Sequence, residues 1–350
     1  MTTRPLTATI ALILAVTLLA GCSVFDSSGA ASSASDTSPA ATVTAVSPTR
    51  ASRTPAAAPP RPTAPKPSKD LVTEAITANK AAFEVELAVS RRGGFPGHRP
   101  EPKLQQFLMG DLLAEVSDRA VGWYEEKLRP HERSTQKLSQ VRASPVGRSG
   151  SLVALEMCRD QSELKFWIDK TSYRHYSTMR TLRFFKRDRD GALKAFYETS
   201  HEVDNCGLPA VPASASTSAQ QVLARMHAIE ENYRAKGGID WARHKTPDLP
   251  TVLTGDALRW MRSSLGEQHS TGWTQVGKTT HYGLWSTPFK VGEAAFALTQ
   301  CEDARGVVYS HPDGTHGQGD LTYYTAWFVK NAQGDWRVAH VGWFVVHSCG

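Results

Sequence analysis

Four of the five cysteines in this 350-residue chain form two pairs with the same spacing. Cys158 and Cys206 lie 48 positions apart, and so do Cys301 and Cys349. Four cysteines allow three pairings, and the equal spacing favours a disulfide within each pair. Zinc coordination is the competing chemistry, but a 48-residue separation lacks the short Cys-x-x-Cys hairpin of zinc sites. We therefore expect one bridge within each pair, worth about 4 kcal/mol of stability.

Histidines and carboxylates cluster in one short segment near the C-terminus. His311, Asp313, His316 and Asp320 fall within ten residues, and two imidazoles with two carboxylates suit a divalent cation. The same ten residues also contain one proline and three glycines, which are typical of a hairpin loop. The loop is favoured over a metal site, and the sequence predicts no cofactor.

A further histidine stands in the last predicted strand. Alternate residues from Trp336 to Val346 are mostly apolar, and His340 lies among them. An imidazole on an apolar face is more often a core histidine than a general base; if it is a base, Asp303 is its candidate partner. The chain has no Gly-x-Ser-x-Gly, Ser-x-x-Lys or His-Glu-x-x-His motif and no glycine-rich phosphate loop. The sequence therefore contains no coherent catalytic set.

The fifth cysteine, Cys22, has no partner in this scheme, and its surroundings suggest a reason. One positive charge, Arg4, precedes an apolar run over residues 10–20, which is the order of a secretory signal. Such a run spans roughly 16 Å as a helix, about half of a bilayer core. Residues 19–22 (LAGC) resemble the lipobox of bacterial lipoproteins. That resemblance implies removal of residues 1–21, diacylglycerol on Cys22, and a location on the outer face of the cytoplasmic membrane.

Residues 22–70 have the composition of a stalk. After the cysteine they are almost wholly Ser, Ala, Thr and Pro, which cannot bury a core. The net charge of +6 comes from 40 basic and 34 acidic residues without a basic stripe, so we expect no nucleic-acid partner. The partners that this plan predicts are the membrane, through the lipid, and a cell-wall polymer or envelope protein.

The rest of the chain contains an internal repeat. At an offset of 143 positions, residues 158–160 (CRD) align with residues 301–303 (CED), and the surrounding residues align without a gap. Self-similarity at so long a period indicates tandem domains. The uncharged stretch 207–218 has the composition of a linker, so the predicted domains are 71–206 and 219–350.

Each copy has a helical pattern followed by strands. Residues 72–91 and 220–236 have helical spacing before a Gly-Gly pair, and a second helix follows Asp111 or Asp256, each predicted as an N-cap. Short aromatic-rich strands come next, which makes an α+β plan. This order resembles nuclear-transport-factor-2-like (NTF2-like) folds. The resemblance implies that each copy packs an N-terminal helix pair on a curved antiparallel sheet, forming a cone.

The stalk and this resemblance predict a non-catalytic, membrane-anchored extracytoplasmic lipoprotein that binds a ligand or scaffolds an envelope partner. NTF2-like folds also include isomerases, dehydratases and cyclases that use an Asp/His pair inside the cone. The alternative is therefore an enzyme of that kind, with His340 and Asp303 in the second copy. An open pocket holding both side chains within hydrogen-bond reach would favour the enzyme.

The anchor prediction can be tested by one substitution. Cys22→Ala removes the thiol that would carry the lipid, and an eleven-residue apolar run is too short to hold the chain in a bilayer. We expect the variant to appear in the medium, whereas the wild type stays with the membrane fraction. A variant that still fractionates as an integral membrane protein would contradict the lipid anchor.

Overall fold

The computed structural model describes residues 66–97, 99–130, 136–167 and 173–349. The predicted signal peptide, Cys22 and most of the stalk lie outside these residues. We call residues 66–206 the first half and residues 207–349 the second half. None of the helices in the described ranges is long and apolar enough to cross a membrane.

The helices are α1 (Lys69–Arg91), α2 (Pro102–Gln105), α3 (Gly110–Glu125), α4 (Ala213–Ala235) and α5 (Gly255–Thr271), with a 3-10 helix at Leu249–Thr251. The strands of the first half are β1 (Arg129–Pro130), β2 (Lys137–Ser144), β3 (Val146–Gly147), β4 (Val153–Asp160), β5 (Lys165–Trp167), β6 (Tyr173–His175), β7 (Thr178–Arg187) and β8 (Leu193–Val203). Those of the second half are β9 (Thr274–Val276), β10 (Thr280–Thr287), β11 (Phe296–Asp303), β12 (Val308–Ser310), β13 (His316–Gln318), β14 (Leu321–Lys330), β15 (Trp336–Val346) and β16 (Ser348–Cys349).

The two halves have the same strand plan. A four-stranded antiparallel sheet has the order β2-β4-β7-β8 in the first half and β10-β11-β14-β15 in the second. Both sheets have register shifts between their first two and their last two strands, for example at Phe184/Phe185 and at Trp327/Phe328. Helices combined with antiparallel sheets confirm the predicted α+β class.

One face of each sheet is covered by its own helices. Leu155 and Phe185 of the first sheet pack with buried residues of α1 and α3, and Phe328 of the second packs with α4 and α5. Asp111 and Asp256 lie in the first turns of α3 and α5 instead of at the N-cap positions, which Met109 and Thr254 occupy. A carboxylate in the first turn still interacts favourably with the helix dipole.

The segment between the halves is shorter than predicted. Helix α4 begins at Ala213, so residues 213–218 of the predicted linker are helical. Alanine and serine tolerate a helix well, and Pro212 fits the preceding position because its missing N–H is not needed there. Ala215 and Ala219 are buried against the second-half core. The small residues of the predicted linker therefore belong to α4, where they let the helix pack closely on the core.

The disulfide pairs are those that the spacing favoured. Cys158 is joined to Cys206 and Cys301 to Cys349, with Cα atoms 6.0 Å and 6.3 Å apart. Each bridge ties the second strand of a sheet to the residues that follow its last strand. The chain therefore leaves each sheet at a covalently fixed point.

The other faces of the two sheets pack against each other. Their shared core contains Leu182 and Phe184 from the first half with Tyr323, Phe344 and Val346 from the second. Strand β16 also pairs with β3 across this contact. Strands β4 and β7 are buried on both faces, and their buried positions include the charged side chains of Glu156, Arg180 and Arg183. Their sequences therefore show neither strict alternation nor a continuous apolar run.

His201 on β8 is half-buried in this contact between the sheets, and both of its ring nitrogens are shielded from solvent. Its ring stacks on Phe344 with centroids 4.5 Å apart and meets Trp327 edge-on at 5.8 Å. Neither ring nitrogen has a hydrogen-bond partner among the described residues. Burial, helped by the charge of Arg180, lowers the pKa of His201 to about 3.

The lowered pKa of His201 leads us to expect that the protein loses stability in mild acid. Between pH 6.5 and about 3 the unfolded chain binds a proton at His201 that the folded chain does not. Stability therefore decreases as pH falls through that window, by about 2 kcal/mol between pH 8 and pH 5 from this residue alone. Urea unfolding at both pH values should show a smaller loss for His201→Phe than for the wild type. Equal losses in the two proteins would contradict the assignment.

Candidate functional site

The second half contains a polar pocket beneath α4. Its cavity is about 210 Å³, smaller than the roughly 300–1,000 Å³ of pockets for drug-sized ligands. The lining combines imidazoles, carboxylates, one guanidinium, amide and hydroxyl groups, and aromatic rings: His227, His281, Glu230, Glu231, Glu302, Arg234, Gln275, Thr279, Thr322, Trp260, Trp273, Trp343, Tyr309 and Tyr324. Polar groups converging in a small aromatic cavity are typical of a binding site.

Three side chains of different elements meet in this pocket. His227 comes from α4, His281 from β10 and Glu302 from β11, and one ligand atom of each lies within 4.8 Å of the others. His281 and Glu302 are direct cross-strand partners, and their Nε2 and Oε2 atoms are 3.3 Å apart. The rings of His227 and His281 stack with centroids 3.6 Å apart. In the described residues this is the one group of three or more His, Cys, Asp or Glu side chains that converge in this way.

A buried amide holds the first of these imidazoles. The side-chain Nε2 of Gln300 lies 2.6 Å from Nε2 of His227, and both residues are almost fully buried. Burial and the adjacent His281 lower the pKa of His227 well below its ordinary value. Because an amide nitrogen can only donate, Nε2 of neutral His227 accepts this bond and Nδ1 carries the proton. His227 would bind a cation through Nδ1 once the Gln300 amide turned over, so that its oxygen accepts from Nε2–H.

Two carboxylates of the pocket repel each other. Burial raises the pKa of Glu230, Arg234 lowers it through an ion pair at 2.8 Å, and the charge of Glu302 raises it again. Together these effects raise the pKa of Glu230 above its ordinary value. Among the described residues, Glu230 is the one of the three carboxylates around the cavity that has a guanidinium beside it, so the lining has more carboxylates than guanidinium groups.

Aromatic rings form the rest of the wall. Trp260 and Trp343 contact each other with centroids 5.3 Å apart, and Trp273 meets Tyr309 edge-on at 5.2 Å. Arg234 lies 5.8 Å from the centroid of Trp273. The face of an indole attracts a cation, so the rings and the carboxylates favour the same sign of ligand charge.

The first half has a corresponding pocket with a different charge balance. This cavity of about 340 Å³ includes Glu86, Arg159 and Glu198 in its lining. Arg159 bonds Glu86 at 2.8 Å and Glu198 at 3.1 Å, while Arg183 binds both carboxylates. All four side chains are at most 9% exposed. Two guanidinium groups compensate two carboxylates, so this pocket has no excess charge among its buried ion pairs.

Titration behaviour separates the two pockets. Burial alone would raise the pKa of Glu198, but the charges of Arg183 and Arg159 outweigh it and lower that pKa to about 2. In the second half the pKa of Glu230 moves in the opposite direction. The first pocket is built around an ion cluster whose charges compensate each other, and the second around carboxylates that outnumber its guanidinium.

The hypothesised pair of His340 and Asp303 is not brought together. His340 Nδ1 lies 3.0 Å from Oδ2 of Asp256, and Asp303 holds Arg305 at 2.7 Å. The sheet register gives the reason: His340 faces Trp327, which faces Ala297, six positions along β11 from Asp303. At about 3.3 Å per residue this is a separation of roughly 20 Å along the strand.

The C-terminal histidine cluster lies on a hairpin, as the glycines indicated. His311 begins the turn and His316 the return strand β13, where its Nδ1 is 3.0 Å from the hydroxyl of Ser310. Asp313 uses Oδ1 to accept bonds from the amide and hydroxyl of Thr315. These contacts explain the carboxylate as a turn-forming group. Asp320 follows the hairpin and is not among the converging groups of the described residues.

Sequence reasoning did not single out His227, His281 or Glu302. The two histidines are separated by 54 positions and meet through the packing of α4 on β10, which periodicity does not reveal. The repeat contains a usable signal, because Leu138 and Arg159 stand where the second half has His281 and Glu302. Both pairs are cross-strand partners. The repeat therefore differs between its two copies in side-chain type at two neighbouring positions, and this difference indicates the site.

Comparisons with known proteins add little to this picture. No family model matches the chain, and no curated protein matches it. One similar solved structure is the intermembrane space region of chloroplast protein ARC6, with 16% identity over 39% of this chain and 99% of that one, at a TM-score of 0.26. Another is an NTF2-like protein involved in plasmid conjugation, with 8% identity over 78% of this chain and 98% of that one, at a TM-score of 0.21. At such scores neither likeness carries an argument about this chain.

The ion cluster of the first pocket predicts a large difference between two arginines on β7. Arg183→Met leaves Glu86 and Glu198 short of a buried cation, which should cost about 3–5 kcal/mol. The matched control is Arg187→Met, because Arg187 pairs with Glu74 where both side chains are over 40% exposed. That change should cost less than about 1 kcal/mol. Chemical unfolding measures both, and similar losses would show that the cluster is not the stabilising element.

Proposed function

We propose that the protein is a lipid-anchored extracytoplasmic binding protein with two tandem NTF2-like domains, and that its second domain binds a small cationic ligand. The observation that carries the proposal is the charge of the second pocket, where Glu230, Glu231 and Glu302 stand against the single guanidinium of Arg234. The repeat at 143 positions and the matching strand plans support the tandem domains.

The pocket favours a cation by two independent means. Carboxylates attract positive charge more strongly in a partly desolvated cavity than in water. Trp260, Trp273 and Trp343 line the cavity, and indole rings attract cations, as Trp273 does with the guanidinium of Arg234. A cavity of about 210 Å³ limits the ligand to a small ion or amine.

The location follows from the N-terminal sequence. The lipobox-like residues 19–22 support an anchor at Cys22 on the outer face of the cytoplasmic membrane. Residues 23–65 form most of the predicted stalk, which in an extended polyproline form would reach on the order of 100 Å. The pocket would then meet solutes of the envelope at some distance from the lipid surface.

Thermal unfolding of the secreted Cys22→Ala chain tests the ligand class. The probes are choline, putrescine and Zn²⁺, with acetate as the anionic comparison. We expect one or more of the cations to raise the melting temperature and acetate to leave it unchanged. A ligand at 100 times its dissociation constant contributes about 2.7 kcal/mol.

A substitution that adds a positive charge to the pocket tests whether the cation binds there. Thr279 lines the cavity and its neighbour Thr280 is exposed outside it. Thr279→Lys should abolish the stabilisation by cations, whereas Thr280→Lys, with the same change in net charge, should keep it. Stabilisation by no cation, or an equal response of the two variants, would contradict the proposed pocket.

A further inference from the structure

We infer that the cation of the second pocket is a divalent transition metal ion bound by His227, His281 and Glu302. This inference rests on the proposed function and names the ligand of that same pocket. Two imidazoles and one carboxylate form the protein ligand set of many zinc sites that keep an open position. Iron(II) sites with open positions use the same set.

The distances already approach those of a coordination sphere. Zinc bonds of about 2.0–2.2 Å to nitrogen and oxygen place tetrahedral ligands about 3.3 Å apart. His281 Nε2 and Glu302 Oε2 are 3.3 Å apart. All three ligand atoms lie within 4.8 Å of one another. The stacked rings of His227 and His281 must rotate out of their nearly parallel arrangement so that both in-plane lone pairs point at one ion.

The backbone fixes two of the ligands. His281 and Glu302 face each other in the antiparallel ladder of β10 and β11. The third, His227, is placed by the packing of α4 and stacks on His281. Ligands held by a sheet and a helix lose little freedom on binding, which favours affinity.

Groups behind the ligands have the roles expected of an outer shell. Gln300 contacts His227 Nε2 at 2.6 Å through its amide group. A metal-bound imidazole donates its other N–H to an acceptor, so the Gln300 amide would turn over on metal binding and accept that bond through its oxygen. The cavity of about 210 Å³ that the three ligands line has room for water or a small anion at the remaining coordination positions.

The first half has the same strand arrangement but different side chains at the positions of these ligands. The cross-strand pair of His281 and Glu302 is replaced there by Leu138 and Arg159. The guanidinium of Arg159 lies 5.9 Å from the ring centroid of Phe83 and bonds Glu86. At this position the chain itself supplies a cation in the first pocket, whereas the second pocket has the carboxylate of Glu302 there and Arg234 as the guanidinium of its lining.

Equilibrium dialysis of the secreted Cys22→Ala chain against ZnCl₂ tests the inference. We expect one zinc ion per chain, and at least a 100-fold weaker affinity in His281→Ala and in Glu302→Gln. Substitution with Co²⁺ should give a visible d–d spectrum that both variants lose. The matched control is the double variant His311→Ala and His316→Ala in the exposed hairpin, which should bind zinc as the parent does.

A further variant keeps the test informative if removal of a ligand impairs folding. Glu302→Arg gives the second pocket the residue that the first has in Arg159, so its fold should persist with Glu230 as a partner. It should bind no zinc. Zinc retained by Glu302→Arg, or lost in the hairpin variant, would overturn the site.

The outcomes also separate this inference from the proposed function. If choline or putrescine stabilises the chain through the pocket while zinc does not bind, the metal site is wrong and the cation pocket remains. If neither zinc nor the organic cations bind, both fail. One zinc per chain that depends on Glu302 supports both.

Discussion

The buried guanidinium of Arg180 is the contact on which the arrangement of the two halves depends. It extends from the first sheet into the second half, fully buried, where it binds Glu156 of its own sheet and the hydroxyl of Thr325. The rings of Tyr323 and Phe344 lie 5.3 Å from it. A buried charge is tolerated only when it is paired and hydrogen-bonded. Its partners come from both sheets, so sliding one sheet over the other would break its bond to Thr325 and leave part of the guanidinium without a partner.

This packing separates the two corresponding pockets. Each sheet has one face packed against the other sheet, with Leu182 and Tyr323 in the shared core. The pocket of the first half lies on the opposite face of its sheet, beneath α1, and that of the second half beneath α4. The ion cluster around Arg159 belongs to the first, and the cluster around His281 and Glu302 to the second. Other cavities lie where the two halves meet.

Much of the fold was readable from the sequence, because cysteine spacing and repeat offset need no knowledge of packing. The sequence predicts short aromatic-rich strands after the helices, but its pattern does not define β2 and β10 individually. Each of these is interrupted by a register shift, with a positive φ at Gln140 and at Gly283. A shift of this kind breaks the period of two. His281 lies on β10, so its cross-strand partner could not be deduced.

The pairing of His340 with Asp303, the alternative to a core histidine, differs from the structure for a related reason. Alternation along β15 placed it correctly in the last strand, but strand position alone does not say which carboxylate is near. The partner depends on the register across β14 and β11, which selects Asp256 of α5 over Asp303. The chemistry of a side chain in a sheet depends on its neighbours from other strands and helices. Those neighbours are set by tertiary packing, which the local sequence pattern does not reveal. The two halves show this directly: one cross-strand position holds an arginine that completes an internal ion cluster, and in the other half the same position holds a glutamate that leaves a place for a cation.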